Sequence, residues 1–163
     1  MAIYKTNAMR LLDKADIAYK VHTYSVDGMV PDGEAVAGKI GMPAERVFKT
    51  LVTIGASQAH YVFVIQVSRE LDLKASARAV NEKSVAMIKV ADIEKATGYV
   101  RGGCSPLGMK KAYRTVFDLS ANKLESIVVS AGKIGFQVEV LPADLIRFCD
   151  GTMANLSIED TSR

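Results

Sequence analysis

A lysine interrupts an otherwise apolar strand pattern at Val47-Phe48-Lys49-Thr50-Leu51-Val52. A strand buried on both faces reads as an unbroken apolar run, and taking an ammonium out of water is costly unless an anion meets it or its proton is lost. Two interpretations of Lys49 stay open. Its stem can lie along the sheet with the ammonium in solvent, or the ammonium can enter a pocket and bind a phosphate or a developing oxyanion.

A second segment, Arg101-Gly102-Gly103-Cys104-Ser105-Pro106-Leu107-Gly108, surrounds one hydroxyl with three glycines and a proline. Glycine lets backbone amides approach a ligand closely, so such a loop can orient a carbonyl or stabilise its tetrahedral form. An ordinary wide turn is the alternative, because glycine clusters are common in turns. Together with the lysine, this segment indicates a site for a small molecule or an RNA end.

Candidate nucleophiles and metal ligands are few, since the chain has two histidines and two cysteines. His22 and His60 have no triad context, so Ser105 is not expected to act as a serine-hydrolase nucleophile. Cys104 lies beside Arg101, where a lowered thiol pKa is conceivable, but it has no evident partner and a packing role fits it better. We therefore expect no disulfide framework, no metal site and no cofactor.

The totals favour one globular domain spanning residues 1–163, because 49% of the residues are hydrophobic and 24% are charged. No apolar run reaches the roughly 18 residues of a membrane span, and Met1–Lys20 lacks the apolar centre of a secretory signal, so we expect a cytoplasmic protein. The net charge of +3 is compatible with local contact to a phosphodiester backbone, but not with wrapping a long nucleic acid.

Caps, turns and apolar spacing predict helices and strands that alternate along the chain. The predicted helices are one capped by Thr6, then Glu34–Ile40, one capped by Asp72 and ending at Ala79, Ala91–Ala96 and Pro142–Phe148. The predicted strands are Tyr19–Tyr24, Val47–Ile54, Tyr61–Val67, Val85–Ile88, Thr115–Leu119, Ser126–Ser130 and Phe136–Leu141. This order predicts a mixed α/β (α+β) domain with two hairpins, and a flexible polar tail is expected from about residue 157.

Four motifs occur in order along the chain: Val47 to Val52, Leu71-Asp72-Leu73-Lys74, Thr97 to Gly108 and Ser130-Ala131-Gly132-Lys133-Ile134-Gly135. This series resembles the YbaK/EbsC family, and most closely its Cys-tRNA(Pro) deacylase branch. The match extends from about Thr6 to Leu156. Several motifs in the right order are far more specific than any single one of them.

The resemblance implies a YbaK-like fold, with short helices around a central, partly barrel-like and mostly antiparallel sheet. It also implies a free-standing editing enzyme that hydrolyses the ester between a wrong amino acid and the terminal ribose of tRNA(Pro). By analogy Lys49 is the key catalytic residue, which holds the phosphate or backbone of the terminal nucleotide. The implied substrate-binding residues are Tyr24, Thr50, Gly102, Gly103, Ser105, Pro106, Ser130 and Gly132. A structural role fits Thr50 at least as well, because it faces the other side of the strand.

The cysteine-specific branch is thought to use the substrate's own thiol to attack its ester carbonyl. A site without its own nucleophile then suffices, because positioning and oxyanion stabilisation accelerate the attack. Relatives often carry an aromatic-glycine pair before the second helix, where this chain has Met29-Val30-Pro31-Asp32-Gly33. That pocket wall bears on amino-acid selectivity.

Two other functions stay open at this point. One is a non-catalytic module that binds aminoacyl-tRNA or prolyl-tRNA synthetase, and the other is a hydrolase of small aminoacyl esters. The expected partner in the leading interpretation is the charged acceptor end of tRNA(Pro), with prolyl-tRNA synthetase as a second candidate and no membrane partner.

Overall fold

The computed structural model describes residues 4–159, which form a mixed α/β fold with five α-helices. The helices are α1 (Asn7–Lys14), α2 (Gly33–Ile40), α3 (Leu73–Ala79), α4 (Val90–Thr97) and α5 (Pro142–Phe148). All five predicted helices are present. None of the helices in this part of the chain is long and apolar enough to span a membrane.

Side-chain caps explain where three of these helices begin. Thr6, Asp32 and Asp72 each accept a hydrogen bond from the backbone N–H three residues later, which satisfies a donor that the first helical turn leaves without a partner. Gly41 and Gly98 end α2 and α4 in the left-handed conformation that glycine adopts without strain. Local sequence therefore sets five of the ten helix ends.

Ten strands form three sheets in the described residues. They are β1 (Tyr19–Thr23), β2 (Phe48–Gly55), β3 (His60–Gln66), β4 (Arg69–Leu71), β5 (Val85–Met87), β6 (Arg114–Asp118), β7 (Ile127–Ser130), β8 (Phe136–Val140), β9 (Thr152–Ala154) and β10 (Ser157–Glu159). The sheet orders are β5-β2-β3-β6-β9, β1-β8-β7 and β10-β4. Five of the seven strand pairings are antiparallel, as expected, and both predicted hairpins are present.

The two larger sheets meet at a seam between β2 and β7. A single parallel bridge joins Val47 to Val128 there. Described strands close no barrel, so the partly barrel-like character is limited to this seam. The sequence prediction had no counterpart for β4, β9 and β10, and the expected flexible tail begins instead with β10 paired to β4, while residues 160–163 lie outside the described residues.

The two faces of the β2/β7/β8 region have different partners. Phe48, Val129 and Val138 are buried in the largest apolar cluster, together with residues of α1 and α5. Val47 and Val128 belong to a smaller cluster on the other face, with Ala37 of α2. Because side chains alternate along a strand, Lys49, Ser130 and Gln137 belong to this second face.

Candidate functional site

A cavity with a volume of about 700 Å³ lies on this second face, beside the seam. Its wall comes from β2, the segment before α2, the glycine-rich loop after α4, and the adjoining ends of β7 and β8. Lys49 and Gly102 both line it, so the two sequence features meet at one site.

A polar row crosses the floor of the cavity from β2 to β8. Lys49 and Ser130 each lie two residues past the Val47–Val128 bridge, and Ser130 pairs with Gln137 in the β7/β8 register. All three residues line the cavity. The fold therefore brings an ammonium, a hydroxyl and an amide onto one face.

Lys49 is half-buried in the cavity wall, between the buried Phe48 and the apolar side chain of Leu51. Strand β2 carries it in full register with β3, where Lys49 pairs with Ile65. The backbone at this position is therefore fixed on one side by a continuous ladder. This location is the one that the pocket interpretation requires, and the substrate-binding role of Lys49 stays a prediction.

Thr50 reaches the same cavity at the edge of β2. Val47 O accepts from Val67 N beyond the end of β3, whereas Val52 O accepts from Ile88 N on the opposite side. Because hydrogen-bonding sides alternate along a strand, the backbone N–H and C=O of Thr50 point away from β3. They face the gap between the Val47–Val128 bridge and strand β5, whose ladder with β2 begins at Thr53. The Thr50 hydroxyl is buried and has no hydrogen-bond partner among the described residues.

The glycine-rich loop contributes main-chain donors. Gly103 N–H donates to Val100 O at 3.0 Å, so that amide is used within the loop. Gly102 and Cys104 line the cavity, and within residues 4–159 their amides donate to no protein acceptor. Two N–H groups of lining residues are thus unused within the described residues, and a carbonyl or an oxyanion is the kind of ligand that such donors bind.

Ser130 ties this loop to the β7/β8 hairpin. Its hydroxyl donates to Gly103 O at 3.0 Å and accepts from Gly132 N at 3.1 Å. The only hydroxyl proton is therefore already used, and Ser130 can offer a ligand no more than an acceptor lone pair. The geometry gives Ser130 a positioning role in the cavity wall.

Two glycines are required where the loop and the hairpin touch. Gly102 has φ +89°, and a β-carbon there would lie 2.8 Å from Val30 Cγ1. Gly132 has φ +90°, and its β-carbon position is 2.9 Å from the Tyr99 ring. The hydroxyl of Tyr99 in turn donates to Leu107 O, so this ring packs between hairpin and loop. A side chain at either glycine would combine backbone strain with a clash.

The cavity region holds no activated protein nucleophile among the residues that the structure describes. Burial raises the pKa of the Cys104 thiol to about 11, although a hydrogen bond with Thr97 acts in the opposite direction. Ser105 is fully buried, and its hydroxyl accepts from Leu107 N at 3.2 Å. Both groups are therefore held in unreactive states at neutral pH.

We expect Cys104 to resist alkylation in the folded protein. With its pKa raised from 9.0 to about 11, the thiolate fraction at pH 8 is about a hundredfold below that of the unfolded thiol, a factor of ten per pKa unit. Mass spectrometry after iodoacetamide treatment, with and without urea, measures this difference. The rate in the folded state should rise until pH about 11, and rapid labelling at pH 8 would contradict the buried, protonated thiol.

Five of the predicted site residues do not line the main cavity. Gly103 and Gly132 do not reach the cavity themselves, but each forms a hydrogen bond with Ser130, which lines it. Tyr24 is half-buried at the end of β1, where its N–H donates to Gly135 O at 3.0 Å. Ser105 is in the core, and Pro106 lines a separate cleft of about 250 Å³ beside Cys149. The substrate-binding roles of these five residues stay predictions.

Sequence reasoning did not single out Gln137, which is 5% exposed and lines the cavity. Its amide makes no hydrogen bond within residues 4–159, so it is a polar group to which a ligand can bind. In the sequence, Gln137 alternates with apolar neighbours and thus has the pattern of a solvent-facing strand residue. Residues Met29 to Gly33 do line the cavity, as expected for a pocket wall.

The cavity offers few ligands for a metal ion. Within residues 4–159 no three His, Cys, Asp or Glu side chains form a group that could hold a metal ion. The one carboxylate of the lining residues, Asp32, already accepts from Ala35 N at 2.8 Å. The charged groups that bear on a ligand are mainly the cations Lys49 and Arg101.

Comparisons with known proteins agree on one family. Residues 29–148 match the family model described as the aminoacyl-tRNA editing domain. A protein of Enterococcus faecalis named "Putative Cys-tRNA(Pro)/Cys-tRNA(Cys) deacylase EbsC" is 40% identical over 156 residues, which cover 96% of this chain and 95% of that protein.

One further match is to part of a larger protein, and another is a solved structure with a similar fold. A proline–tRNA ligase of Lactobacillus helveticus is 26% identical over 106 residues, which cover 65% of this chain and 19% of the ligase. A solved structure described as "a putative trans-editing enzyme for prolyl tRNA synthetase" superposes with a TM-score of 0.79 and 18% identity, covering 95% of this chain and 99% of that one.

Proposed function

The chain belongs to the aminoacyl-tRNA editing domain family, and from that premise we propose that it is a trans-editing deacylase that hydrolyses Cys-tRNA(Pro). The observation that carries the proposal is that Lys49 lines one cavity with Gly102 and Cys104, whose amides donate to no protein acceptor in residues 4–159, and that this cavity holds no activated nucleophile among the described residues. A site of this kind binds and polarises an ester, and leaves the attack to another group.

The substrate can supply that group. The thiol of the cysteinyl moiety attacks its own ester carbonyl, a C–S bond forms, and the C–O bond to the terminal ribose breaks. The thiol proton passes to the departing ribose oxygen, and the cyclic thioester is then hydrolysed by water. In this scheme the protein aligns the thiol with the carbonyl and stabilises the oxyanion, which are the two tasks that the cavity's groups suit.

The test compares charged tRNA(Pro) carrying cysteine, S-methylcysteine, alanine or serine. We expect rapid loss of the cysteinyl ester and slow loss of the other three, because only cysteine has a free thiol. Differences in pocket fit among small side chains supply only about 1–3 kcal/mol. Equal rates for cysteine and S-methylcysteine would contradict thiol attack, and tRNA binding without ester loss would favour a binding module instead.

The partners follow from this reaction. The acceptor end of tRNA(Pro) is the substrate, and the small net charge of +3 predicts weak, salt-dependent affinity for tRNA on its own. Association with prolyl-tRNA synthetase would supply the missing affinity, and the cytoplasm is the corresponding site of action. Indifference of the deacylation rate to competing uncharged tRNA would favour a hydrolase of small esters.

A further inference from the structure

Four exposed cations surround the glycine-rich loop and its neighbouring turn. Arg101 lies at the start of the loop, Lys110 and Lys111 follow its end, and Lys133 lies in the β7/β8 turn. Residues 98–117 contain no aspartate or glutamate. Arg101, Lys110 and Lys111 therefore have no acidic neighbour within that stretch of the chain.

Contacts through the loop connect the segments that carry these cations. The β-carbon position of Gly98 is 3.6 Å from Lys110 Cβ, and that of Gly108 is 3.1 Å from Tyr99 Oη. The Tyr99 ring then packs against Gly132, which directly precedes Lys133. We call Arg101, Lys110, Lys111 and Lys133 the basic surface.

The basic surface reaches the mouth of the cavity. Arg101 is itself a lining residue, and Ile134 N lies 3.4 Å from the β-carbon position of Gly103. An ester bound at Gly102 and Lys49 would therefore have its attached RNA beside these cations. A polyanion that enters a cavity is favoured on the side where the local field is positive.

None of the four cations forms a salt bridge with an acidic residue in the part of the chain that the structure describes. The ammonium of Lys133 lies 4.4 Å from the centre of the Tyr4 ring, which is 54% exposed. An exposed ring beside an ammonium also suits an unpaired base, which can stack on it. The surface thus retains its charge for an external anion.

From these contacts we infer that the basic surface binds the phosphodiester backbone of the tRNA acceptor arm while the charged 3′ end occupies the cavity. This inference rests on the proposed function and deepens it by naming the surface that holds the RNA. The ligand chemistry is that of RNA phosphates, read by charge without sequence specificity.

The experiment measures binding of fluorescently labelled, uncharged tRNA(Pro) by anisotropy at several salt concentrations. The double variant Lys110→Ala/Lys111→Ala should bind about tenfold more weakly at low salt, with the slope of log affinity against log salt reduced by about 1 per lost phosphate contact. The control, Lys74→Ala/Lys83→Ala, removes two exposed lysines in or near α3, which packs on a different apolar cluster. It should bind like the wild type.

A second readout separates this inference from the proposed function. Deacylation of Cys-tRNA(Pro) by the double variant should show a raised KM and an unchanged kcat, whereas hydrolysis of cysteinyl-adenosine should be unaffected. The inference would be overturned if the double variant bound tRNA like the wild type, or if its activity fell equally with Cys-tRNA(Pro) and with cysteinyl-adenosine. It would also be overturned if the double variant lost binding to prolyl-tRNA synthetase but not to tRNA. If the wild type binds tRNA through these lysines but leaves the ester intact, the surface stands and the proposed function fails.

Discussion

Lys49→Met should lower kcat/KM for Cys-tRNA(Pro) by about a hundredfold or more, the usual cost of losing a preorganised group that stabilises transition-state charge. Methionine keeps the length and apolar stem of lysine but removes the ammonium. The strand should remain intact, since β2 is fixed by its full ladder to β3 and by the buried Phe48 and Val52. Single-turnover deacylation with excess enzyme measures the chemical step directly.

Lys74→Met is the matched control for this variant, because it makes the same chemical change at an exposed position of α3. Its rate should equal that of the wild type. Lys49→Arg keeps the positive charge but has a different shape. Compared with Lys49→Met, it should therefore restore binding of the terminal nucleotide's phosphate more than it restores turnover. Undiminished turnover of Lys49→Met would remove the role assigned to this lysine.

Asp118→Ala should lower the free energy of unfolding by about 3 kcal/mol, because it leaves buried donors without acceptors. The carboxylate is 4% exposed and accepts from Ser120 N at 3.1 Å, Ser120 Oγ at 2.5 Å and Leu156 N at 2.9 Å. It therefore joins β6 to the segment that carries β9 and β10. For a chain of this size the expected fall in Tm is about 6–12 °C.

Urea titration and hydrogen exchange measure this effect together. Exchange should accelerate first in residues 152–159, whose attachment depends on the Leu156 contact. Asp13→Ala is the control, since Asp13 lies in an exposed pair with Lys5 and should change the urea midpoint little. A midpoint for Asp118→Ala equal to that of the control would contradict this role.

Most of the fold follows from local signals in the sequence. Thr6, Asp32 and Asp72 cap helices as their types predict, and Gly41 and Gly98 end them. Strands β4, β9 and β10 were not predicted, because none of the three shows a readable alternation. Their existence depends on partners distant in sequence, such as the pairing of Ser157 with Leu71.

The candidate site likewise contains residues that the sequence reveals and one that it does not. Lys49 and the glycine-rich loop stand out by residue type, and the structure places Lys49, Gly102 and Ser130 around one cavity. Gln137 does not stand out, because a polar residue on alternate strand positions usually faces water. Its burial results from the seam between two sheets, which residue spacing does not reveal.

The alternation along β2 couples folding to chemistry. Phe48 fills the main core while Lys49, the next residue, lines the cavity. A slip of β2 by one position against β3 would exchange the two faces, driving the ammonium into the hydrocarbon interior and the benzyl ring into the binding chamber. A form misaligned by one position would thus be both unstable and inactive, so quality control that removes these unstable copies would remove non-editing ones too.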